Sequence, residues 1–111
     1  VILAFSGEQI VEEALQGTFH RYTKNTITDP EAIKALLPDI RKHGYAISRG
    51  ERHIESSIMA VPIFNYENRP VAAIAIITNA EGLQEKTESD LVNSLKETAD
   101  QISRKLLYFK D

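Results

Sequence analysis

A chain of 111 residues has room for one domain of ordinary size. Its 42% hydrophobic and 26% charged residues suit a globular protein, while a net charge of −3 argues against a surface that grips nucleic acid, which needs a basic face. With no cysteine there can be no disulfide, thiolate metal site or cysteine nucleophile, and the composition fits a reducing cytoplasm.

Residues 70–77 form the longest apolar run, far short of the roughly 20 residues of a membrane span, so no membrane partner is expected. Val1-Ile2-Leu3-Ala4-Phe5 is an apolar opening without an initiator methionine, a charged leader or a helix cap. It reads as a piece cut from inside a larger protein.

The first five residues suit the buried end of a helix stopped by Ser6-Gly7. From Glu8, Ile10, Val11, Ala14 and Leu15 recur at helical spacing until Gly17. Tyr22–Thr28 is polar and β-branched, a loop. Asp29-Pro30-Glu31 then reads as a helix start, with Asp29 as cap, proline in the first turn and an acid beside it. Ile33, Leu36, Leu37 and Ile40 supply the apolar face, and Gly44 ends the helix after Arg41, Lys42 and His43. Because an interior proline costs about 3 kcal/mol, Pro38 predicts a kink or a restart.

Tyr45–Ser48 is a short predicted strand. Ile58–Phe64 and Val71–Thr78 are β-rich runs joined by the polar stretch 65–70, a hairpin. Val71–Ile77 is apolar at every position, which predicts burial of both faces. Thr87-Glu88-Ser89-Asp90 resembles a capping box before a helix over about 88–108, with the stripe Leu91, Leu95, Ala99, Ile102, Leu106 and Phe109. The order of elements predicts an α+β fold, helices layered on an antiparallel sheet.

Few residues suggest chemistry. His20, His43 and His53 show no metal-ligand pairing. His43, in the last turn of a helix, suits the dipole there. Glu51, His53 and Glu55 alternate and could share a strand face toward a metal, but that residue mix is common by chance. Ser48, Ser56 and Ser57 lack the glycine-flanked elbow of a nucleophile, and the five glycines are scattered singly, so no phosphate loop is present. No catalytic residue, metal or cofactor is expected. Tyr45 and Phe64 read as core and Tyr66 as exposed, against an aromatic ligand cage.

In order and spacing, Leu3-Ala4, Tyr22-Thr23, Thr26-Ile27-Thr28-Asp29-Pro30, the Arg41–Ala46 turn, Glu51, the strand Ala60-Val61-Pro62-Ile63-Phe64 and the alanine-rich strand after it resemble the effector-binding domain of IclR-family bacterial transcription regulators. The resemblance runs from Val1 to about Leu106. It implies a GAF-like fold, an antiparallel sheet flanked by helices with a ligand pocket between the sheet and its crossing loop. Residues 1–111 would be the C-terminal portion of that domain, lacking its first strands and the family's N-terminal winged helix-turn-helix. Operator DNA would then be bound only through that missing domain, by a homodimer or tetramer in the cytoplasm.

Carried over position by position, the resemblance puts the effector-binding residues at Ser48, Ser56, Ile58, Ala75 and Ile77. Many members have a glycine near position 55 and a serine-rich third strand whose hydroxyls donate to small carboxylate effectors. Glu55 and Ala75-Ile76-Ile77-Thr78 stand here instead, which favours an apolar or aromatic effector, since an unpaired buried carboxylate is costly. The alternative is a GAF-like dimerisation module with no ligand, its pocket plugged by Tyr45 or Met59.

Overall fold

The computed structural model describes residues 1–79 and 85–109, the side chains of 85–87 and 107–109 excepted. A 3-10 turn at Leu3–Phe5 leads to α1 (Glu8–Ala14) and α2 (Pro30–His43). Then come β1 (Ala46–Arg49), β2 (Ser56–Phe64), β3 (Pro70–Asn79) and α3 (Glu85–Phe109). The three strands form one antiparallel sheet in the order β1-β2-β3, so the fold is α+β, as expected, and β2 with β3 is the predicted hairpin.

Two apolar clusters hold these elements. The larger lies between the sheet and α3, where Met59, Val61 and Ile63 meet Val92, Leu95 and Ala99. Ile47 from β1 and Ile74 and Ile76 from β3 widen it. Alternate residues of a strand share a face, so Ser57, Met59, Val61 and Ile63 all point toward the helix. The smaller cluster joins Ala4, Val11 and Leu37, with Phe5 and Ile40 at its margin. Phe5 packs edge-on against Phe64 with ring centres 5.4 Å apart, and Arg41 Nε donates to the Ala4 carbonyl at 2.8 Å. Lys34 and Glu12 pair across α1 and α2, and that carboxylate raises the lysine's pKa, though a pair this exposed adds little stability.

Several expectations need correction. α2 runs through Pro38 without a restart. The missing amide removes a single bond of the helix, and Pro38 is exposed, so water can satisfy the carbonyl left free. Asp29 precedes the helix in extended conformation but makes no side-chain cap. Gly44 does end it, at φ 81°, with its amide on the Ile40 carbonyl at 2.8 Å. Within α1 only Val11 is buried; Ile10 is 56% exposed. α3 begins at Glu85, which puts Thr87–Asp90 inside the helix rather than at its cap. On α3 the stripe is shifted, because Val92 is buried and Leu106 exposed, while the side chain of Phe109 lies outside the described residues.

β3 departs furthest. Its residues alternate between half-buried and exposed along the whole strand, so one face only is covered in these residues.

Candidate effector face

The covered face of β3 is the one toward α3. On the other face, Ser48 of β1 stands opposite Ile58 of β2, which stands opposite Ile77 of β3. The next row is Ala46, Ala60 and Ala75. Ser56 opposes Asn79 at one end, and Pro62 opposes Ala73 at the other. Register therefore brings Ser48, Ser56, Ile58, Ala75 and Ile77 onto one face of one sheet, although they come from three segments. Alternation along β2 and β3 adds Ala60 and Ala73, which the position-by-position reading left out.

This face is an open apolar surface. Ile77 is 71% and Val71 53% exposed, and Ala73 and Ala75 are exposed between them. Small residues dominate its middle, so the backbone is accessible there. Met59 is fully buried on the opposite face, toward α3, and Tyr45 packs with that same cluster. Neither side chain plugs the Ala75/Ile77 face.

One end is held by a network that the sequence reading did not find. The chain between β1 and β2 turns at Gly50, whose φ of 66° lies in the left-handed region. Its amide donates to the Ser56 carbonyl at 2.7 Å, closing the turn. Residues 22–28 are tied to this turn by side chains. The Thr23 hydroxyl donates to the Gly50 carbonyl and the Thr26 hydroxyl to the Glu51 carbonyl. Thr26 Oγ1 also accepts from the Thr23 amide at 2.9 Å, so two threonines three apart stiffen the loop and clip it down. Their spacing was visible in the sequence; their partners, some 25 residues on, were not.

Glu51 closes the network. Its Oε1 accepts from the Ile27 amide at 3.4 Å, and its Oε2 accepts from the Ser48 hydroxyl at 2.7 Å. Residues 51–55 are bends and turns, so Glu51, His53 and Glu55 do not share a strand face. Among the described residues no three His, Cys, Asp or Glu side chains gather as metal ligands. His43 holds the Asp39 carbonyl through Nδ1 at 2.8 Å, a structural role.

Two concavities flank the sheet. One, of about 390 Å³, lies between Phe5, Phe64 and Ala99 under a rim of Lys96, Asp100 and Arg104. The other, of about 650 Å³, is shallow and lies at the end of the open face, lined by Tyr22, Thr23, Lys24, Arg52 and Ser56 among others. There the Arg52 guanidinium sits 4.0 Å from the centre of the Tyr22 ring. Ser56 is thus the one predicted effector residue that borders either of these concavities. Among the described residues no helix is long and apolar enough to cross a membrane.

Comparison with known proteins places this arrangement. Residues 1–104 match the family described as bacterial transcriptional regulator IclR, C-terminal. The chain is 33% identical over 109 residues to the DNA-binding transcriptional repressor YiaJ of Escherichia coli, covering 96% of this chain and 39% of that protein. Among solved structures it is similar to the Thermotoga maritima IclR, with TM-score 0.90 and 40% identity over 95% of this chain and 43% of that one. It is also similar to the C-terminal domain of the E. coli regulator KdgR, with TM-score 0.90 and 27% identity, covering 96% of this chain and 65% of that one. The 111 residues therefore span about two fifths of the length of YiaJ. These relatives are transcriptional regulators rather than enzymes, and the chain belongs to the IclR family.

Proposed function

We propose that these residues are the C-terminal portion of a small-molecule effector-binding domain, and that the open sheet face is the floor of the effector site. The exposure of Ile77 and Ala75 carries this reading, on a sheet whose opposite face packs against α3. A monomer rarely leaves a contiguous apolar patch bare without a use for it. Ser48 and Ser56 stand at the end of that patch, where hydroxyls can orient the polar end of a ligand. The apolar middle, built of alanines and isoleucines, suits an apolar or aromatic body.

In the intact regulator, the first strands of the domain and a winged helix-turn-helix belong to the remaining length. The second of these binds operator DNA, as a homodimer or tetramer in the cytoplasm. Effector occupancy then shifts the balance between DNA-binding arrangements, by no more than its difference in affinity for them.

A second reading draws on the same exposure: Ile77 and Val71 would suit a protein partner in a dimerisation module without a ligand. Replacing Ala75 with Phe in the intact regulator separates the two. We expect the effector response to be lost while DNA binding persists. Stability should change by less than about 0.5 kcal/mol, since Ala75 is exposed and nothing is overpacked. An altered oligomeric state with an intact effector response would instead establish the dimerisation module.

A further inference from the structure

The hydrogen-bond polarity at Ser48 narrows the ligand further, on the reading that the open face is the effector site. A serine hydroxyl has one hydrogen to donate and can also accept. At Ser48 that hydrogen is committed to Glu51 Oε2 at 2.7 Å. The bond is charge-assisted and so stronger than one to a neutral acceptor. Withdrawing it would leave the half-buried Glu51 carboxylate with the long 3.4 Å bond from the Ile27 amide, the other side-chain bond described for it. What Ser48 offers a ligand is therefore an oxygen that accepts, backed by a carboxylate. In the two rows beside it, Ile58, Ala60, Ala75 and Ile77 carry no polar side chain, and Ser56, two residues along β2 from Ile58, is the other hydroxyl on this face.

We propose that the Ser48–Glu51 pair makes this face select a ligand with an apolar body and a hydrogen-donating end, a hydroxyl or ammonium group, and reject one ending in a carboxylate. A carboxylate there would find no donor on Ser48 and would lie beside the carboxylate of Glu51, so it would lose a hydrogen bond and face like-charge repulsion together. An ammonium or hydroxyl meets an acceptor already oriented, so little ordering is required on binding. Glu51 positions the Ser48 hydroxyl and sets its own charge beside the ligand's polar end. The Thr26 and Ile27 contacts from the neighbouring loop hold it in place.

The test uses three probes with one aromatic body, benzylamine, benzyl alcohol and benzoate, titrated into the intact regulator by saturation-transfer NMR. The expected order of affinity is benzylamine, then benzyl alcohol, with benzoate weakest. Glu51→Gln keeps an acceptor for the Ser48 hydroxyl but removes the charge. It should raise the benzoate-to-benzylamine affinity ratio by about tenfold, the difference expected between charge-assisted and neutral pairing. Ser48→Ala, which leaves the loop clips intact, should weaken benzyl alcohol and leave benzoate weak, and it serves if the Gln variant folds poorly. Ala75→Phe should abolish binding of all three. If wild type binds benzoate as well as benzylamine and Ala75→Phe still abolishes binding, the selectivity is refuted and the effector face stands. If Ala75→Phe leaves the binding of every probe unchanged, or none of them binds saturably, the effector-face reading fails and this proposal with it.

Discussion

At Gly50 the backbone φ of 66° is one that residues with a Cβ adopt only at a cost. A Cβ built there would lie 2.8 Å from Asn25 Nδ2 and 2.9 Å from the Ile54 carbonyl oxygen. The first neighbour is a side-chain end that can swing away; the second is backbone. Gly50→Ala should therefore destabilise the domain by about 2 kcal/mol or more, read as a lower melting temperature. It should also loosen residues 22–28, since the Thr23 hydroxyl uses the Gly50 carbonyl. Ser57 presents the reverse case. It is fully buried against α3, and its hydroxyl has no partner among the described residues. An unsatisfied buried hydroxyl carries its desolvation cost without return. Ser57→Ala should stabilise the domain by about 1 kcal/mol, and a lower melting temperature for this variant would reveal a partner for the hydroxyl.

Among the elements, α3 and β3 show how partial a hydrophobic pattern is. The helical stripe gives Leu95 and Leu106 equal weight, but Leu95 is 4% exposed in the main cluster and Leu106 is 36% exposed. Leu95→Ala should cost about 2–5 kcal/mol, the range for truncating a buried leucine, and Leu106→Ala less than about 1 kcal/mol. Urea unfolding of the two variants checks this, and equal losses would contradict the packing. On β3 the run Val71–Ile77 is apolar throughout, yet only Ala72, Ile74 and Ile76 pack against the main cluster. The exposed half of that run carries the proposed effector face. Its apolar character is unexplained by packing within these residues.

For the molecule as a whole, the two clusters are joined by a few long-range contacts rather than by one continuous core. Lys96 Nζ on α3 donates to the His43 carbonyl at the end of α2, at 2.6 Å. Phe5 on Phe64 is a second link, while Arg41 on Ala4 ties the smaller cluster together. The net charge of the chain is −3. The isolated 111 residues should then bind duplex DNA no better than an acidic control protein. Salt-dependent, sequence-specific retardation of DNA by these residues alone would contradict that. With Ile77 and Val71 exposed, the isolated residues should also self-associate, and a clean monomer in sedimentation at high concentration would count against this.

Much of the fold was legible from local chemistry. Pro30 and Gly44 bound α2 because proline suits the first turn and glycine tolerates the left-handed stop. The hairpin followed from two β-branched runs about a polar turn. The shared face of Ser48, Ser56, Ile58, Ala75 and Ile77 was legible only through family resemblance, since no local pattern links residues 27 positions apart. Tertiary structure alone decided the rest. Strand register put Ser48, Ile58 and Ile77 in one row, and α3 chose which half of β3 to cover. The fold of residues 22–28 onto the Gly50 turn set Glu51 against Ser48 and so decided which of its hydrogen-bonding capacities that hydroxyl keeps. Sequence states which groups can donate or accept; which partner each one finds depends on distances that only the folded chain creates.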